Sequence, residues 1–292
     1  MKALAAFKYY EATTVQDAVS VLKQYPGKAK VYAGGVDMID WMKKRYMPTP
    51  QVLVNIKKIP GLNKIEKQSD GVHIGPTVTL AQLVDDSTIP MLGEAAKKGP
   101  TPNLRTQATV GGNLCQNVWC WYYRWPEWNC YRKGGPVCFA PPGRNAFHAI
   151  MEQKVCNATV PGDISVALAA LNASIKIEGS EGSKTVQIKD FFIVLGTVLK
   201  PDEIVTDIVV PEVPSKGVFL KSRTRSAIDF ATASVALATT SKGTTVALGG
   251  VAPIIPVGTP DEMKAAVDKA TPLSENKYKI SVVKSLLKQA GA

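Results

Sequence analysis

Hydrophobic spacing divides the chain into a first part that alternates helix and strand and a last part dominated by strands. Over residues 14–25, Val15, Ala18, Val21 and Leu22 recur at helical intervals, with Thr13 or Thr14 available as N-cap. Residues 30–32 and 51–56 predict short strands, and 71–76 a third, after which Thr79 caps a helix beginning at Leu80. Such a β-α-β opening indicates an α/β subdomain. The apolar run behind Asp163 predicts a buried helix to residue 171, followed by a strand over 174–178. Past about residue 180 the texture turns β-rich, at 204–210, 217–223, 231–239 and 244–249. Ser241-Lys242-Gly243 suits a hairpin turn, and helical patterns follow at 261–269 and 276–289. A second α+β domain is therefore expected from about residue 178. No internal repeat or low-complexity tract is visible.

At 292 residues the chain is long enough for two domains, or for one large domain with subdomains. No run of about 18 uninterrupted apolar residues exists, so no membrane span is expected. The first ten residues hold too short an apolar stretch for a signal peptide, which sets the expectation at the cytoplasm, where thiols stay reduced. An odd count of five cysteines, crowded rather than dispersed, also argues against a disulfide framework.

That crowding is the most unusual feature of the chain. Four of its five tryptophans and four of its five cysteines fall between Cys115 and Cys138, and Cys156 follows. Several thiolates held among aromatic residues point to a bound metal or metal cluster. The net charge of +11 first suggests nucleic acid, but between Lys97 and Cys156 eight basic residues face only Glu127 and Glu152. Such an excess would offset metal-bound thiolates and steer an acidic redox partner. It equally suits a solvated surface with no partner.

Two Gly-Gly pairs, in Ala33-Gly34-Gly35-Val36-Asp37 and Thr109-Val110-Gly111-Gly112-Asn113, let backbone N–H groups approach a phosphate. Neither carries the three-glycine dinucleotide fingerprint, and a tight turn alone explains such a pair. Two in one α/β region point toward a pyrophosphate-bearing cofactor.

Tyr32-Ala33-Gly34-Gly35-Val36-Asp37, the stretch from Val72 to Leu80, and Arg105-Thr106-Gln107-Ala108-Thr109-Val110-Gly111-Gly112-Asn113-Leu114 resemble the FAD-binding subunit of the molybdenum hydroxylases. This is the xanthine dehydrogenase, carbon monoxide dehydrogenase and 4-hydroxybenzoyl-CoA reductase family. Residues 219–231 and Leu248-Gly249-Gly250-Val251-Ala252-Pro253 agree with its later part, so the resemblance spans nearly the whole chain.

The resemblance implies an α+β architecture: a two-subdomain FAD-binding fold of the vanillyl-alcohol-oxidase type over 1–60 and 61–177, then a carbon monoxide dehydrogenase flavoprotein-like domain over 178–292. It places the FAD pyrophosphate on Tyr32, Ala33, Gly34, Gly35, Val36, Asp37 and Met38. The flavin side would be met by Thr109, Gly111, Gly112 and Asn113. Asp163 matches the acidic residue at the ribose region, and Val205 and Lys221 match further cofactor contacts. Other readings stand beside these: Asp163 as a helix cap, and Lys221 as a surface cation.

Most of the family passes quickly from the Gly-Gly-Asn loop to the acidic residue. Here an insertion over about 114–158 intervenes, which resembles the extra loop of the 4-hydroxybenzoyl-CoA reductase flavin subunit and its 4Fe–4S cluster. Gly112-Asn113-Leu114-Cys115 also occurs in relatives without the loop, which makes Cys115 a bystander. The implied ligands are then Cys120, Cys130, Cys138 and Cys156, with nine, seven and seventeen residues between them. That spacing departs from both ferredoxin motifs and the reductase's own. A zinc site competes, with Cys115 and Cys120 as one arm, although Cys130 and Cys138 are widely spaced for the other. His148 is either a further ligand or a structural histidine, and the tryptophans could simply fill the core of the loop.

The function implied is that of an electron-transfer subunit without catalytic residues of its own. Electrons would pass between a 2Fe–2S small subunit with its molybdopterin large subunit and an external carrier such as ferredoxin, through FAD and the 4Fe–4S cluster. A second reading has NAD acting directly at the flavin, with a purely structural cluster or zinc. A third, non-enzymatic reading is a zinc-stabilised nucleic-acid-binding protein.

Overall fold

The computed structural model describes residues 3–226 and 228–292, and the chain builds three main sheets in turn. The first is parallel, with β1 (Lys8–Glu11), β3 (Val52–Asn55) and β2 (Ala29–Tyr32) in that spatial order. Parallel neighbours need crossovers, and α1 (Val15–Gln24) and α2 (Val36–Lys44) belong to them. Thr14 Oγ1 caps α1 by accepting the Asp17 N–H at 3.0 Å. The buried face of α1 (Ala18, Val19, Leu22) packs with Val52 and Val54 of the central strand, which is buried at every position.

The second sheet is antiparallel, in the order β4 (Ile65–Gln68), β5 (Gly71–Ile74), β10 (Ile204–Val210), β6 (Ser174–Gly179), β7 (Gly182–Gln187). With it go α3 (Leu80–Asp85), α4 (Pro90–Lys98), α5 (Pro102–Arg105), α6 (Val110–Cys115), α7 (Asp163–Ala170), α8 (Ile188–Phe191) and a small hairpin of β8 (Phe192–Ile193) with β9 (Gly196–Thr197). All eight residues of α7 are buried, as suits a helix with apolar residues on every side, Asp163 and Ser165 being its two polar exceptions. Strand β10 pairs with both β5 and β6, so the change to the third sheet falls between Val210 and Lys216. The boundary expected near residue 178 falls inside β6, and β6, β7 and β10 all belong to the second sheet.

The third sheet has the order β11 (Lys216–Ser222), β12 (Ala233–Thr240), β13 (Gly243–Gly249), β14 (Val257–Gly258), and α9 (Pro260–Asp268) and α10 (Tyr278–Ala290) accompany it. Side chains alternate across it. Ala236, Ala238 and Ala247 join the core around α7, whereas Val235, Leu237, Val246 and Leu248 pack with Val283 and Leu287 of α10. The small residues on one face let α7 lie close to the sheet.

The long insertion between α6 and α7 carries little regular structure: a 3₁₀ turn at Tyr131–Lys133 and a single bridge between Cys130 and Val137. No helix of the described residues is long and apolar enough to cross a membrane.

Candidate functional site

Gly35 closes β2 into α2 with φ 70°, and a Cβ there would come 2.5 Å from the Tyr32 hydroxyl oxygen. The turn thus needs glycine for both its backbone and its neighbour. No side chain caps α2, so the N–H groups of Val36, Asp37 and Met38 have no partner within the helix, the arrangement that lets a helix start receive an anion. Gly34 backs onto the second glycine loop, where a Cβ would overlap the Gln107 carbonyl oxygen. The fold therefore brings together two loops that lie far apart in sequence.

Thr109 caps α6 through a 3.1 Å hydrogen bond from Gly112 N–H to its Oγ1, and Gly111 lies against Pro76. From the other end of α6, Asn113 Oδ1 accepts the Ile164 N–H at 3.1 Å, and its carbonyl accepts the Ser165 hydroxyl at 3.4 Å. Asn113 thereby ties the second loop to the start of α7. There Asp163 makes no capping bond; its Oδ2 accepts Lys221 Nζ at 2.7 Å, with both side chains buried. Lys221 also donates to the Lys98 carbonyl at 3.0 Å. Burial pushes the Asp163 carboxyl up, against the pull of Lys221, Arg223 and Lys98. Asp163 is thus no helix cap and Lys221 no surface cation. Val205 stands apart from this chain of contacts: it pairs with Ile177 in the second sheet and packs in its core.

Cys120, Cys130, Cys138 and Cys156 line one small cavity together with Tyr123, Arg132 and Phe139. Cys115, at the end of α6, is exposed and lies outside it. All five are free thiols. Three of the cavity sulfurs have a side-chain nitrogen nearby: His148 Nε2 is 3.2 Å from Cys120 Sγ, Arg132 Nε 3.3 Å from Cys156 Sγ, and Asn157 Nδ2 3.4 Å from Cys138 Sγ. Burial pushes the Cys120 thiol up to about 12. Burial, with help from nearby Lys279, pulls His148 down to about 4. Among the described residues, no group of three or more His, Cys, Asp or Glu side chains is placed to hold a metal ion.

The tryptophans do not fill the core of the loop. Trp119, Trp121, Trp125 and Trp128 are 43, 38, 59 and 40% exposed, whereas Tyr122 and Tyr123 are buried. The interior of so small a loop takes phenols, and the larger indoles are left at its surface.

Arg124 escaped the sequence reading. Buried within the insertion, it donates from Nη2 to Asp37 and from Nη1 to Asp40, both on α2, and its guanidinium stacks 3.8 Å over Trp119. The Asp37 carboxylate also accepts the Asn117 N–H at 3.2 Å. What Asp37 has left for a ligand is its backbone. At the other side of the insertion, fully buried Lys279 of α10 donates to the carbonyls of Phe147, His148 and Gly250. No local signal marks either contact, because each partner lies more than eighty positions away or in another element.

An uncapped helix start backed by two glycine loops, with a buried acid–lysine pair beyond it, defines a nucleotide-cofactor-binding subunit, and the residues fit a flavin dinucleotide. Residues 5–213 match the family described as the FAD binding domain in molybdopterin dehydrogenase, and the chain belongs to this family of molybdenum hydroxylase FAD-binding subunits. It is 32% identical over 265 residues to the aldehyde oxidoreductase FAD-binding subunit PaoB of Escherichia coli (strain K12), covering 85% of this chain and 82% of that one. It is 27% identical over 259 residues to the carbon monoxide dehydrogenase medium chain of Hydrogenophaga pseudoflava, covering 85% and 75%. A chain of the reconstituted CO dehydrogenase from Oligotropha carboxidovorans superimposes with a TM-score of 0.76 at 22% identity, over 99% of this chain and 98% of that one. That last likeness speaks for the fold.

Proposed function

We propose that this chain passes electrons between a molybdopterin large subunit with its 2Fe–2S small subunit and an external carrier, a ferredoxin, through FAD and a 4Fe–4S cluster. The observation that carries the cluster is the single cavity lined by Cys120, Cys130, Cys138 and Cys156, with Cys115 outside it. Four cysteines lining one cavity suit the four thiolate ligands of an iron–sulfur cluster.

In this reading the loop from Tyr32 to Met38 holds the FAD pyrophosphate by backbone N–H groups at the start of α2. Thr109, Gly111, Gly112 and Asn113 form the flavin side. Asp163, held by Lys221, faces the ribose region, and Val205 supports the sheet behind. Bound FAD supplies the conversion between two-electron and one-electron transfer. The protein's own residues position it and exclude water, and no acid–base pair is required of them. Relatives are named for an aldehyde oxidoreductase, a carbon monoxide dehydrogenase and a nicotine 6-hydroxylase, which agrees with substrate choice residing on the molybdopterin partner. The basic insertion supplies the face for an acidic carrier. The cytoplasm is the compartment that suits five free thiols.

The test is an absorption spectrum of the purified protein with flavin, iron and zinc analysis. One FAD and about four irons per chain are expected. Zinc without iron would remove the cluster and the ferredoxin route while leaving the flavin role standing.

A further inference from the structure

We propose that His148, Arg132 and Asn157 set the reduction potential of the cluster by donating hydrogen bonds to three of its cysteine sulfurs. The inference rests on the reading that Cys120, Cys130, Cys138 and Cys156 hold an iron–sulfur cluster.

The nitrogens stand 3.2, 3.3 and 3.4 Å from the sulfurs of Cys120, Cys156 and Cys138. A ligating thiolate has no proton to give, so each nitrogen acts as the donor. For His148 this puts the proton on Nε2 and leaves Nδ1 bare. That agrees with its surroundings, where Nδ1 is buried with no partner: an orphaned acceptor is tolerated better than an orphaned N–H.

Each donor is also held from outside the cavity. The backbone carbonyl of His148 accepts Lys279 Nζ at 2.9 Å and Asn276 Nδ2 at 3.1 Å. Arg132 Nη2 donates to the Val194 carbonyl at 2.8 Å. The backbone carbonyl of Asn157 accepts the Ala149 N–H at 2.8 Å. The backbone anchors of His148 and Asn157 and the side-chain anchor of Arg132 keep these N–H groups aimed at sulfur whether the cluster is oxidised or reduced.

Reduction adds one electron, and with it one negative charge, to the cluster. A fixed N–H dipole stabilises the more negative state more than the less negative one, and the Arg132 cation adds a full charge to the same effect. All three donors therefore raise the potential.

The test uses the full chain with its cluster, in the variants R132M, N157L and H148F and the conservative variants R132K and H148Q. Potentials are read by anaerobic redox titration of the reduced cluster's paramagnetic resonance signal, with iron and flavin counted in the same samples. Each lost donor is expected to make cluster reduction about tenfold less favourable, equivalent to about 59 mV for a one-electron couple. H148Q, which keeps a donor, should stay within about twofold of wild type, and R132K should fall between wild type and R132M. Iron-loaded R132M and N157L with wild-type potentials overturn the inference and leave the cluster standing. Wild-type protein without iron overturns both. If H148F fails to assemble a cluster, R132M and N157L decide the matter.

Discussion

Arg124 Nη2 lies 2.6 Å from Asp37 Oδ1, joining the cysteine insertion to the helix that opens the first glycine loop. The preceding residue, Tyr123, lines the cysteine cavity. Two consecutive residues thus face the two proposed cofactor places, one each. The guanidinium is 7% exposed and its carboxylate partners 25 and 32%. Breaking a fully buried pair costs about 3–5 kcal/mol, and the partial solvation of Asp37 and Asp40 lowers this to about 2–3 kcal/mol. R124M should lose that much stability in urea denaturation. It should also weaken FAD binding, measured by flavin release on dilution. Wild-type flavin retention would show that the tie is structural only.

Within the insertion the cysteines separate by location. C130S is expected to lose the iron and keep the flavin, because Cys130 is buried in the cavity wall. C115S should keep both, since its thiol is outside. Iron and flavin analysis of the two variants checks the assignment, and a full cluster in C130S would sink it.

At Gly35, alanine would meet both a left-handed backbone and the Tyr32 ring. The backbone alone costs about 1–2 kcal/mol, and displacing Tyr32 disturbs the N–H groups proposed to hold the pyrophosphate. G35A should bind FAD at least about tenfold more weakly. Gly61 is the control, because it has φ 86° with nothing near its Cβ position, so G61A should pay the backbone cost and retain FAD. Equal flavin loss in both would argue against a phosphate cradle at Gly35.

His73 sits between two carboxylates, with Nδ1 2.6 Å from Asp207 and Nε2 2.8 Å from Asp70. Burial pulls its pKa down, but the hydrogen bonds to Asp70 and Asp207 prevail and raise it. The folded state therefore holds the proton more tightly than the unfolded chain, whose value is about 6.5. The stabilisation is fully present below about pH 6.5 and is lost as pH rises through the higher folded value. Denaturation midpoints from pH 5.5 to 9 (roughly spanning the histidine range) should fall for wild type relative to H73Q. Parallel curves would refute the linkage.

Regular elements with a one-sided apolar stripe were legible in the sequence, as were the loops joining them: α1 with its Thr14 cap, the buried α7, and the β12–β13 hairpin turning at Gly243. Strand β1 was not, because all four of its residues are exposed and only pairing with β3 makes it a strand. Nor was α2, which opens on Gly-Gly, a pair that normally ends helices. The two glycine loops were visible as motifs, but their contact through Gly34 and Gln107 depends on tertiary folding. Cys156 entered the ligand set through family resemblance, since its spacing signals nothing. His148 was visible as a candidate beside the cysteines, but Arg124, Arg132 and Asn157 were not, because no local pattern encodes partners 19 to 87 positions away.

Lys279 has a consequence for the order of events during synthesis. It is made 131 residues after His148, yet it holds the carbonyls of Phe147 and His148, and the His148 ring meets the Cys120 sulfur. A growing chain has all its cysteines long before it has that support. Cluster loading would then follow completion of the polypeptide, and a chain ending before α10 should react faster with alkylating agents at Cys130 and Cys156 than the full-length protein does. In that reading the last helix closes the insertion from a place remote from either proposed cofactor in sequence.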